Sequence, residues 1–68
     1  MIVTEREELG ARLVRLRGKA PLEEVAKALG ISTSALSMYE QGKRVPRDEV
    51  KIRMADYYQT TVENIFFA

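Results

Sequence analysis

"LEEVAKALGISTSALSMYEQ", residues 22–41, is the stretch on which the fold turns. Its apolar residues repeat at helical spacing on both sides of Gly30. Val25, Ala26 and Leu29 form one inward stripe, and Ala35, Leu36 and Tyr39 form another. Gly30 suits the left-handed conformation that stops a helix, and Ser32 is a good N-cap for the helix that follows. Two helices crossing steeply within so short a turn need a residue free to adopt positive φ. They also need a small side chain where one helix passes over the other. Gly30 and Ala26 answer both needs. The outward positions of the second helix of the pair are Thr33, Ser34, Ser37 and Met38, where an idle surface would usually carry Lys or Glu.

Outward from this pair, the helical period continues in both directions. Thr4 and Glu7 form a possible capping box for a first helix with Leu9, Leu13 and Leu16 on one stripe, ended by Gly18. Pro21 suits the cap or first turn of the second helix, whose Glu23 and Glu24 complement its positive end. Gly42 stops the third helix near Gln41. Pro46 introduces a fourth helix bearing Val50, Met54, Tyr57 and Tyr58, and Thr61 caps a short last one, "VENIFF". No run alternates with period two. The expectation is an all-α, compact five-helix domain over residues 1–68.

Composition narrows the function. The chain of 68 residues has no histidine and no cysteine, so the commonest general base, the commonest metal ligand and any disulfide are all missing. No Gly-rich phosphate loop or metal-ligand cluster stands out, and Glu23 and Glu24 diverge on their helix. The chain is therefore not read as an enzyme; no catalytic residue, cofactor or metal is expected. No apolar run is long enough to span a membrane, and the N-terminus turns acidic at once, which predicts a cytoplasmic protein. The net charge is only +1, but it is segregated. Residues 12–19 hold four basic and no acidic side chains, and residues 43–53 hold five basic against two acidic. That leaves room for a basic face.

Four motifs in order, "LGARLVRLR", "EEVAKALGIS", "ALSMYEQGKRVP" and "MADYYQTTVENIF", resemble the phage repressor and Cro-type (xenobiotic-response-element-type) helix-turn-helix regulators. The resemblance runs from about Leu9 to Phe66 and implies the lambda-repressor-like DNA-binding fold. It implies a sequence-specific double-stranded DNA-binding regulator, a repressor on a palindromic operator. The third helix would lie in the major groove, with Thr33, Ser34, Ser37 and Met38 as base readers. Short hydroxyls approach a base edge closely, and a methyl or thioether packs on a thymine methyl. Lys43, Arg44 and Arg47, around the start of the fourth helix, would hold phosphates; Arg12 and Lys19 are weaker candidates. The family's ion pair to the Glu of "YEQG" falls on Glu40, with Arg17 as donor by motif matching and Arg15 by ungapped counting. Pro21 and Leu22 stand where the family usually has Thr-Gln, whose Gln contacts a phosphate.

A homodimer is expected, because one small domain offers few base contacts and two half-sites supply more. The apolar end "VENIFFA", with Ile65, Phe66 and Phe67, and Tyr58 nearby, is its expected interface. Neither a membrane nor a small-molecule ligand is an expected partner. The rival function is an antitoxin or other protein-interaction module on the same fold, for which co-purification with a second polypeptide would be the sign.

Overall fold

The structure, a computed structural model, describes residues 5–67. Five helices follow in order: α1 Glu5–Arg17, α2 Leu22–Leu29, α3 Thr33–Glu40, α4 Asp48–Tyr57 and α5 Val62–Phe66. No strand occurs among the described residues. Helix α3 packs on α1 and α2, while α4 and α5 close the other side against α2 and α1. Thr4 of the expected capping box lies outside the described residues.

The helix ends explain why the elements stop where they do. Gly30, at φ 71°, donates its N–H to the Lys27 carbonyl, and Ile31 donates to the Ala26 carbonyl. These two bonds satisfy carbonyls that would otherwise be stranded at the α2 terminus. Ser32 then opens α3, its Oγ accepting the Ala35 N–H at 3.0 Å. Gly42, at φ 74°, ends α3 in the same manner as Gly30 ends α2: its N–H meets the Tyr39 carbonyl and that of Lys43 meets the Met38 carbonyl. Thr61 caps α5 through a 3.1 Å bond from Asn64. Pro46 is buried, and α4 begins only at Asp48, with Arg47 extended before it.

Leu13, Val25, Leu29, Leu36, Met54 and Ile65 are fully buried and make the centre of the core. Two expectations need correction. Leu16 is exposed, because α1 turns Leu9, Gly10 and Leu13 inward and Arg17, not Leu16, continues that edge. On α4, Tyr57 is exposed and Tyr58 packs on the core, the two rings meeting edge-on at 5.2 Å. Ile65, expected at a dimer interface, is 1% exposed: on so short a helix its side chain is the one that points into the monomer core.

Helix α1 meets the end of α3 backbone to backbone. A Cβ on Gly10 would fall 2.4 Å from the Glu40 carbonyl oxygen, and one on Gly42 would fall 2.8 Å from the Arg6 carbonyl oxygen. The two glycines thus permit an approach that any side chain would prevent. This close seam fixes where α3 stands relative to the rest of the molecule.

Candidate nucleic-acid interface

Helix α3 divides cleanly into two faces. Leu36 and Tyr39 are buried against α1 and α2, and Ala35 packs at the margin of the core. Thr33, Ser34 and Met38 are exposed on the other side, and Ser37 is half-buried. These four expected readers line one shallow depression together with Leu22, Gln41 and Lys43. All four are therefore brought together. Leu22, half-buried at the rim, offers only hydrocarbon where a polar contact would help.

Gln41 is the residue that sequence reasoning passes over. Its Nε2 donates to Ser37 Oγ at 2.7 Å, so the long side chain folds back along α3. The spacing 34, 37, 38, 41 is the one-face pattern of a helix and is the signal that points to it. Its place directly before the helix-stopping Gly42 masks that signal.

The cations fall into two groups. Lys43, Arg44 and Arg47 are exposed, and none makes an ion pair or side-chain hydrogen bond among the described residues. The turn at Gly42 sets Lys43 on the edge of the reader depression. Asp48 and Glu49 occupy the first turn of α4, so attraction for an anion rests on these three side chains more than on the helix end itself.

Other arginines are committed inward. Arg17, not Arg15, pairs with Glu40 through both Nε (2.8 Å) and Nη2 (3.0 Å), and its Nη1 reaches the Ala20 carbonyl at 2.7 Å. Glu40 is nearly buried, with 7% of its side chain exposed. Hydrogen bonding to Glu40 holds the Arg17 guanidinium above its ordinary pKa. Arg12 donates to the Ile65 carbonyl and Arg53 to the Leu29 carbonyl, capping α5 and α2. Arg12 is therefore tied into the fold and is no phosphate candidate; Lys19 remains exposed. Beside the Arg17–Glu40 pair, burial pushes the Tyr58 hydroxyl up to about 12, with the Glu40 charge adding to it.

Of the expected dimer residues, Phe66 and Phe67 stand at the end of α5, whereas Tyr58 sits by Glu40 at the end of α3. Phe67 is 71% exposed and Phe66 half-buried, with the Lys51 ammonium 5.7 Å from the Phe67 ring centre and 5.3 Å from that of Phe66. They border a groove shared with Leu9, Arg12 and Val45. No helix among the described residues is long and apolar enough to cross a membrane.

Solved structures share this arrangement. The clp gene regulator ClgR from Corynebacterium glutamicum is 27% identical with a TM-score of 0.82; the likeness covers 96% of this chain and 71% of that one. A second structure of that regulator gives 26% identity and a TM-score of 0.80, over 97% and 88%. The SOS-response transcriptional repressor LexA from Eubacterium rectale matches at a TM-score of 0.84 over 97% of this chain and 73% of that one; at 19% identity it speaks for the fold alone. No protein of curated function matches the sequence. The model of the helix-turn-helix domain family matches residues 8–65, from the first turns of α1 to Ile65, and with α2, its turn and α3 at its centre the chain belongs to that family.

Proposed function

We propose that this protein is a sequence-specific double-stranded DNA-binding transcriptional regulator of the Cro/C1 type, with residues 1–68 forming one DNA-binding domain. One observation carries this most: the hydroxyl and thioether face of α3 opens as a single depression edged by Lys43, whose ammonium has no partner within the described residues. Helix α3 lies in the major groove, with Thr33, Ser34, Ser37 and Met38 at the base edges and Lys43, Arg44 and Arg47 on phosphates. The 27% identity to ClgR, itself a gene regulator, supports the regulatory role. The protein acts in the cytoplasm as a repressor and is not an enzyme.

It binds a palindromic operator as a homodimer. The exposed Phe67 and the half-buried Phe66 support an apolar contact at the α5 end of the molecule, which is proposed to extend to the half-buried Tyr58. Ile65, buried in the monomer core, takes no part in it.

Selection of bound duplexes from a random pool, read with a native mass measurement, tests the whole. The expected outcome is one enriched palindromic motif and a two-to-one complex. Arg44→Ala should weaken all duplexes alike and lower the slope of log affinity against log salt by about 0.9 for each phosphate no longer neutralised. Met38→Ala should alter base preference and leave that slope nearly unchanged. A protein that enriches no duplex at all would remove the function.

A further inference from the structure

We propose that Gln41 reads an adenine in each half-site and that Ser37 acts on that base mainly by holding the Gln41 amide. The inference rests on the major-groove reading above and goes beyond it by naming a residue and the base it takes.

The Gln41 side-chain amide carries two N–H donors and one carbonyl acceptor. One donor is used by Ser37 Oγ at 2.7 Å. The other donor and Oε1 have no partner among the described residues, and the residue is exposed on the wall of the depression that the other readers line. An adjacent donor and acceptor on one planar group match one base edge in the major groove. Adenine offers N7 as acceptor and N6–H₂ as donor; guanine offers two acceptors, thymine an acceptor, cytosine a donor. Only adenine can satisfy both free positions of the amide.

The hold on the amide also changes how well this can be done. Gln is a long side chain with much rotamer freedom, which is lost on ordering at a base. Here the side chain is already folded back one turn, toward Ser34 and Met38, before DNA arrives. Ser37 is therefore a positioning residue for this contact. A Gln41–Ser37 pair that only trimmed the helix end would stabilise α3 slightly and leave base preference untouched.

The test is duplex selection from a random pool with the wild type, Gln41→Ala, Gln41→Glu and Ser37→Ala, each first checked for native helical content by circular dichroism. The wild type should enrich adenine at one position of each half-site. Gln41→Ala should flatten that position alone, lowering affinity for the adenine-containing site on the order of ten- to a hundredfold. Gln41→Glu should shift it toward cytosine, whose N4–H₂ donates to a carboxylate. Ser37→Ala should weaken adenine preference at the same position and add little on top of Gln41→Ala, because the two act as one unit. A wild-type motif in which Gln41→Ala changes no single position overturns the adenine contact while leaving groove binding intact. So does a Gln41→Ala protein that loses affinity for all duplexes equally. If the wild type enriches no duplex, the groove reading fails first and this contact with it.

Discussion

Replacing Gly10 by Ala sets two effects of opposite sign against each other. Gly10 lies inside α1, where Ala is favoured over Gly by about 1 kcal/mol in helix propensity. Propensity alone therefore predicts stabilisation. The added methyl, however, would stand 2.4 Å from the Glu40 carbonyl oxygen, 2.9 Å from its carbon and 3.0 Å from the Gly42 nitrogen. Ordinary contact lies near about 3.5 Å, so the seam between α1 and α3 must open by about 1 Å. Every atom met is backbone, so no side chain can swing aside. Opening by that much forfeits roughly a quarter to a half of the dispersion across the seam, and overpacking of this kind costs about 1–3 kcal/mol. With relief so limited, about 3 kcal/mol is the apt figure, and the net loss after the helix gain is about 2 kcal/mol. A chain of this length has roughly 3–10 kcal/mol in all. The melting temperature, followed by far-ultraviolet circular dichroism, should fall by about 8–16 °C. Ala11→Gly, on the exposed side of the same helix, should cost only about 1 kcal/mol. If Gly10→Ala raised the midpoint, the close seam would be refuted.

Three further outcomes are expected. Arg17→Met should cost about 3–5 kcal/mol in urea unfolding, since it leaves the Glu40 carboxylate, 7% exposed, without its partner; Arg15→Met, on an exposed side chain, should stay within about 0.5 kcal/mol. Ser32→Ala should cost about 1 kcal/mol by removing the α3 cap without touching the core. Tyr58, raised from 10.0 to about 12 by burial and then by the Glu40 charge, is more acidic unfolded than folded. Its share of stability is whole below pH 10 and is lost as pH rises through about 12, and Tyr58→Phe should remove that part of the alkaline slope. At neutral pH the same variant should be close to neutral, because the Tyr58 hydroxyl is buried without a partner among the described residues.

What can be read from sequence is local. Ser32, Thr61, Gly18, Gly30 and Gly42 announce helix ends because capping and positive φ act within a few residues. The inward stripe of Val25, Ala26, Leu29, Ala35, Leu36 and Tyr39 follows from the helical period alone, and all but the half-buried Ala35 are buried. The outer face of α3 follows from the same period. What stays hidden depends on distant backbone. Gly10 looks like a weak helix residue until the Glu40 carbonyl is set against it. Arg12 and Arg53 look like free surface charge until the carbonyls of Ile65 and Leu29 come within reach. Arg15 and Arg17 differ by about 200° around one helix, so the partner of Glu40 can be chosen only once the roll of α1 is known. The outward turn of Leu16 is set by that same roll.

The inward pairing of Arg17 has a kinetic consequence. Its charge is cancelled at short range by Glu40, whereas Arg12 and Arg53, bonded to neutral carbonyls, keep theirs. The net charge is only +1, so the protein is hardly drawn toward a polyanion as a point charge. The acidic first turn of α1 lies against Gly42, next to Lys43, and tempers the local field further. At physiological salt that field reaches about 8 Å, so Lys43, Arg44 and Arg47 act only in the last stage of approach. On the proposed function, encounter with DNA would owe little to long-range steering, and salt would act chiefly on how long an encounter lasts.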